Sequence, residues 1–126
     1  MSETIPMIRP FEPVEFDHDT LAALCDRHRG DAEAVIAALL AEIEAGLRCA
    51  ALQFRASDPA FARTIDDLHR LADEVGMRTL RVCTEAIRDQ LAARDRPALE
   101  ACAWRMFRLA DPATMSDWQV CHDTVA

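Results

Sequence analysis

Apolar residues recur every three or four positions through most of the chain, and helix-breaking residues divide this pattern into segments. The longest segment, Asp31–Arg55, places one face of apolar side chains at Val35, Ile36, Leu39, Leu40, Ile43, Leu47, Ala50, Ala51 and Phe54. This spacing predicts a long amphipathic helix. Since no segment alternates apolar and polar residues over several positions, no strand is predicted.

Capping and turn residues predict the ends of the helices before and after this one. Asp17 is suited to cap a short first helix over about Asp19–His28, and Arg29-Gly30 ends it. The third helix is expected to start at Asp58-Pro59 and to end at Gly76.

Two further helices are predicted in the second half of the chain. The fourth carries apolar residues from Leu80 to Leu91, and the fifth has apolar residues from Leu99 to Ala110. The break over Arg94–Pro97 separates them, with Asp95 or Arg96 before a proline at the start of the fifth helix. Because short breaks make neighbouring helices antiparallel, the expected fold is all-α: an up-down four-helix bundle with a short N-terminal helix.

The whole chain, residues 1–126, is expected to form a single domain. Residues 1–16 contain three prolines and are predicted to be an irregular N-terminal segment, and residues 111–126 are predicted to be a C-terminal tail. The N-terminal residues hold no apolar run long enough for a signal peptide or a membrane helix, so a cytoplasmic protein without a membrane partner is expected.

Charge and residue usage exclude several classes of function. The formal net charge is −8, and an acidic chain repels the phosphate backbone of nucleic acids. All 14 basic residues are arginines, so neither Schiff-base chemistry nor the lysine of a phosphate-binding loop is available. The five cysteines have no CxxC spacing, so they are predicted to be small core residues of a reduced protein rather than metal ligands or disulfides.

One row of side chains on the third helix is a candidate site. Ala62, Asp66, His69 and Asp73 follow one another in steps of four, three and four, which places them in one line beside the core-facing side. His69 is therefore expected to point into solvent between two carboxylates. The row is consistent with a solvated, charge-paired helix face or with an exposed phosphoryl acceptor; as a metal site it lacks a fourth ligand, so no metal is expected.

The order of these features resembles a histidine-containing phosphotransfer (HPt) domain over roughly Glu15 to Leu109. Phe16–Leu21 followed by Arg29–Val35 is similar to the N-terminal pattern of that family. The segment Asp66–Gly76 matches in spacing the family's stretch from the phosphorylated histidine to a later glycine.

The resemblance departs from the family motif, His-x-Leu-Lys-Gly-Ser, at the residues that carry its chemistry. Asp66 stands at the position of the phosphorylated histidine, and Leu68 matches the motif. His69 stands at the lysine, Arg70 at the small glycine, and Leu71 at the serine.

The resemblance implies a phosphorelay protein, not an enzyme, that docks the receiver domain of a response regulator or a sensor kinase. The expected docking residues are Ala62, Asp66, His69, Arg70 and Asp73. In the first interpretation the domain docks without being phosphorylated. In the alternative, His69 is the phosphoacceptor and the receiver supplies the only Mg²⁺. The carboxylates beside His69 repel a phosphoryl group, which favours docking without phosphoryl transfer. The protein is expected to be a monomer or a weak dimer.

A third class of function is a helical bundle for oligomerisation or ligand binding. Trp104, Phe107 and Trp118 lie close together near the C-terminus and are able to form an apolar patch. The alternative for Phe107 and Trp118 is that they pack the tail over one end of the bundle.

Overall fold

The computed structural model describes residues 14–112, 114, 115 and 118, and the regular structure within them is helical. The helices are α1 (His18–Arg27), α2 (Ala32–Arg55), α3 (Phe61–Val75), α4 (Arg78–Ala93) and α5 (Arg96–Phe107), followed by a 3₁₀ turn at Arg108–Ala110. This confirms the all-α prediction. The predictions for residues 1–13 and for most of the tail beyond residue 112 lie outside the described residues.

The predicted cap of α1 is confirmed. The Asp17 carboxylate accepts hydrogen bonds from the backbone N–H groups of Asp19, at 3.0 Å, and Thr20, at 3.3 Å. These bonds satisfy N–H groups that have no partner within the helix. The bond from Thr20 does most to lower the pKa of Asp17, because it stabilises the charged carboxylate.

The start of α5 agrees with the prediction, whereas the start of α3 does not. Asp95 caps α5 by accepting from the Ala98 N–H at 3.1 Å, and a proline lies in the first turn, as predicted. α3 instead begins at Phe61, later than the predicted start at Asp58-Pro59. The Asp58 carboxylate accepts from the Ala60 N–H at 2.9 Å, which closes a separate turn before the helix.

Helices that follow one another in sequence pack side by side: α2 against α3, α3 against α4, and α4 against α5. α5 also contacts α2, and α1 packs on α2 and α3. The predicted apolar faces supply most of the core. The largest fully buried side chains are Leu21, Leu24, Ile36, Ile43, Leu47, Ile65, Leu68, Met77, Leu80, Ile87, Met106 and Leu109.

The turn between α3 and α4 also anchors the segment before α1. Gly76 adopts a left-handed conformation, and its carbonyl accepts from the Asp17 N–H at 2.7 Å. On the other side of the turn, the Arg78 N–H donates to the Glu15 carbonyl at 2.9 Å. Phe16 pairs with Met77 in an isolated antiparallel bridge, the only extended pairing among the described residues, and both side chains are buried. The end of the segment predicted to be irregular is therefore part of the core.

Alanine at Gly76 is expected to destabilise the protein more than alanine at Gly30. Both glycines have a positive φ, 76° and 85°, which costs a residue with a Cβ about 1–2 kcal/mol. A Cβ at Gly76 would also lie 2.8 Å from the Thr20 Cβ and 3.2 Å from the Asp17 carbonyl, whereas nothing lies within 4 Å at Gly30. Overpacking adds about 1–3 kcal/mol, so urea unfolding should show a larger loss for Gly76→Ala. Equal losses would contradict close packing of the turn against α1.

Candidate functional site

The predicted row on α3 lies along α4 and pairs with it. Asp66 Oδ1 accepts from Arg88 Nε at 2.9 Å, and Asp73 Oδ1 accepts from Arg81 Nη1 at 3.5 Å. His69 lies between these two ion pairs. We call the six residues the α3–α4 polar row: Asp66, His69 and Asp73 on α3 with Arg88, Thr84 and Arg81 on α4.

His69 does not stand free in solvent as the sequence suggested. Its side chain is half-buried, and its Nδ1 atom lies 3.0 Å from the Thr84 Oγ1 atom. Thr84 is itself fully buried, with 0% of its surface exposed. The expectation was wrong because α4 packs along the same side of α3 and covers part of the ring.

The carboxylates beside His69 are not isolated negative charges. Asp66 and Asp73 each pair with an arginine of α4, so two carboxylates and two guanidinium groups flank the imidazole. The side chains of both pairs stay between 37% and 65% exposed, and solvent screens them. The repulsion of a phosphoryl group that the sequence suggested is therefore offset by the arginines.

The other two predicted docking residues lie beside the polar row rather than in it. Ala62 is exposed near the start of α5, where it borders a cleft together with Arg96. Arg70 points away from α4: it pairs with Asp67 at 3.5 Å and borders the groove between α2 and α3. The structure thus brings together Asp66, His69 and Asp73, with Ala62 and Arg70 on the adjoining surface.

The residues of α4 in this row were missed by the sequence analysis. Their signal is the spacing across the turn: the paired residues are 8, 15 and 22 positions apart. From one pair to the next the separation grows by seven residues, which is about one helical turn on α3 and one on α4. Residues at similar distances from the turn therefore meet across an antiparallel pair. Counting outward from Met77 would have placed Arg81 and Arg88 opposite Asp73 and Asp66, and Thr84 within one position of the residue opposite His69.

The described cysteines are free thiols in different environments. Cys83 is buried in the core, as predicted, and Cys25 and Cys102 are half-buried. Cys49 is exposed, so the prediction of a core role is wrong for this residue. Cys121 lies outside the described residues.

The C-terminal aromatic residues divide between core and surface. Trp118 is buried, and the half-buried Phe107 ring lies 5.9 Å from the Phe54 ring in an edge-on arrangement. Trp104 is 46% exposed, and the Arg55 guanidinium lies 5.9 Å from its ring centre. Phe107 and Trp118 thus have packing roles, whereas association through Trp104 stays a prediction.

A small cleft of about 180 Å³ opens between the end of α2 and the starts of α3 and α5. Phe54, Phe61 and Leu99 line it, with Gln53 at its edge. The Gln53 Oε1 atom is buried without a hydrogen-bond partner among the described residues. Since that atom is closed off from solvent, it offers no contact to a molecule in the cleft.

The described residues form neither a metal-binding cluster nor a membrane-spanning helix. No group of three or more His, Cys, Asp or Glu side chains there is placed to hold a metal ion. None of the helices in that part of the chain combines the length and apolar character needed to cross a membrane.

Comparison with protein-family models, with curated proteins and with solved structures gave no match to this chain.

The Asp66–Arg88 ion pair is expected to contribute weakly to stability. A double-mutant cycle with Asp66→Ala and Arg88→Ala should give a coupling free energy of about 0.5 kcal/mol at low salt, because both side chains are exposed. The coupling should shrink in 1 M salt. The Asp67–Arg70 pair, within α3, is the matched control and should behave alike. A coupling that exceeds about 2 kcal/mol and resists salt would contradict an exposed pair.

Proposed function

We propose that this chain is an HPt-like module that docks the receiver domain of a response regulator through α3 and α4. In this proposal α2 to α5 form an up-down four-helix bundle, and α1 is an additional short helix that packs on α2 and α3. The packing of α5 against both α4 and α2 supports a closed bundle.

One observation supports the proposal most. The segment Asp66–Gly76, which has the spacing of the HPt motif, forms the last ten residues of α3 and the left-handed glycine that ends it. Asp66 and Asp73 of this segment lie at the surface, and each pairs with an arginine of α4. Such cross-helix pairs limit the side-chain freedom that a partner would otherwise have to remove on binding.

Docking without phosphoryl transfer follows from the residue at the family's acceptor position. Asp66 stands there, and its carboxylate is already bonded to Arg88. In this interpretation the domain binds a receiver or a sensor kinase and controls access to it, without being an enzyme and without a cofactor.

The setting that we propose follows from charge and composition. A net charge of −8 disfavours binding to nucleic acid. As a monomer or weak dimer in the cytoplasm, the protein would leave the α3–α4 surface free for a receiver. Any Mg²⁺ in the complex would belong to the receiver.

Arginine in place of Ala62 is expected to weaken docking. Ala62 is exposed and small, so a long charged side chain there obstructs close approach without disturbing the core. Titration against a panel of purified receiver domains should show about tenfold weaker binding or more for Ala62→Arg. Ala41→Arg is the matched control, because Ala41 is also exposed but lies on α2 rather than on α3. Equal affinities for both variants would move the docking surface away from α3.

The second candidate function is a phosphocarrier that uses His69. Two observations favour it: the carboxylates beside the ring are paired with arginines, and the ring is held at Nδ1 by Thr84. A histidine that is fixed in position and flanked by guanidinium groups is suited to accept a phosphoryl group.

Replacing His69 distinguishes the two candidates. With a phosphorylated receiver as donor, a carrier should gain an acid-labile, base-stable phosphate that His69→Gln abolishes and His18→Gln retains. His18 is a matched control because it is exposed at the start of α1, away from the polar row. Binding without label leaves the docking function, and the absence of both label and binding discards both candidates.

A further inference from the structure

We propose that Thr84 is a positioning residue that fixes the protonation of His69, so that Nε2 is the ring nitrogen available for reaction. Its functional meaning rests on the phosphocarrier candidate described above. The geometric part concerns the isolated chain and requires no partner.

The Thr84 hydroxyl has a single proton to donate and two possible partners. The Thr84 Oγ1 atom lies 2.9 Å from the Arg81 carbonyl oxygen, which is only an acceptor, so a hydrogen bond between them uses the hydroxyl proton. The same oxygen lies 3.0 Å from His69 Nδ1 and has no second proton to give. Both contacts are hydrogen bonds at the same time only when the bond to the ring runs from Nδ1–H to the Thr84 oxygen.

This assignment determines the state of the other ring nitrogen. A neutral imidazole carries one proton, so a ring that is protonated on Nδ1 has its free electron pair on Nε2. Nε2 has no hydrogen-bond partner among the described residues. Since the buried polar atoms without a partner do not include it, Nε2 is exposed to solvent. The unprotonated nitrogen of His69 therefore reaches the surface.

Burial makes Thr84 effective in this role. The side chain is fully enclosed between α3 and α4, where water does not compete for its hydrogen bonds. Leaving the buried oxygen without a donor from His69 would carry a free-energy cost. The same bond holds the ring against α4 with Nε2 on the outer side.

The phosphoryl step then needs no proton transfer at the histidine. The Nε2 electron pair attacks the phosphorus of an aspartyl phosphate on the receiver, and the N–P bond forms as the P–O bond to the aspartate breaks. The aspartate leaves as a carboxylate with the bonding electron pair. The ring keeps its Nδ1 proton and gains a positive charge, and its hydrogen bond to Thr84 becomes charge-assisted.

The first test measures the protonation of the ring in the full chain by two-bond ¹H–¹⁵N NMR, at a pH where histidine is neutral. The His69 signals are assigned by their loss in His69→Gln. The unaltered protein should show mainly the Nδ1–H form. Thr84→Val, which keeps the side-chain shape but removes the oxygen, should lower the ratio of Nδ1–H to Nε2–H by about fivefold.

Thr84→Ser is the matched variant, because it restores the hydroxyl and should restore the Nδ1–H form. A predominant Nε2–H form in the unaltered protein, or an unchanged ratio in Thr84→Val, would overturn the proposal. If Thr84→Val does not fold, the unaltered protein and Thr84→Ser still decide the question. The ring protonation also holds or fails independently of whether any receiver binds.

The second test identifies the reacting nitrogen with phosphoramidate, a small phosphoryl donor that needs no partner protein. The phosphate on His69 should be attached to Nε2 in the unaltered protein and in Thr84→Ser. Attachment mainly to Nδ1 would contradict the role of Thr84. If phosphoramidate places the phosphate on Nε2 but no receiver transfers a phosphoryl group to His69, the phosphocarrier function is rejected. The proposed ring geometry then still holds.

Discussion

The turn at Gly76 is the constraint on which the rest of this structure depends. Its left-handed backbone ends α3, and the space where a Cβ would lie is filled by Thr20 and the Asp17 carbonyl. The same turn accepts the segment before α1 through backbone hydrogen bonds. One residue therefore sets where α3 stops, how α4 begins and where the start of the fold is anchored. Because the connection is so short, it also fixes which residues of α3 and α4 face each other.

That register explains why the polar row exists and what it contributes. Two exposed ion pairs and one half-buried hydrogen bond stabilise a domain only slightly, so burial of the apolar faces supplies most of the stability. The polar contacts act instead on position. Asp66 and Asp73 are each held by an arginine, and His69 is held by a buried hydroxyl. A surface arranged in this way loses little conformational entropy on meeting a partner.

Local signals in the sequence were sufficient where a residue acts on its own backbone. Asp17, Gly76 and Asp95 mark helix ends because of the backbone conformation and hydrogen bonds that they favour, and the structure places them there. The burial of Met77 and the environment of His69 depend instead on elements distant in sequence. A helical wheel of α3 shows which face of the helix carries His69, but it does not show that α4 covers part of the ring. Those features followed only from the pairing of the two helices.

The same pairing changes how the two functional candidates compare. On the sequence alone, two carboxylates beside His69 oppose an incoming phosphoryl group. With Arg81 and Arg88 present, the electrostatic field at the ring combines both signs, and the argument against transfer loses most of its force. What then separates carrier from docking module is the ring itself. If Thr84 keeps Nε2 unprotonated at the surface, the chain presents a nucleophile at each docking event, and docking alone would leave that arrangement without a chemical use.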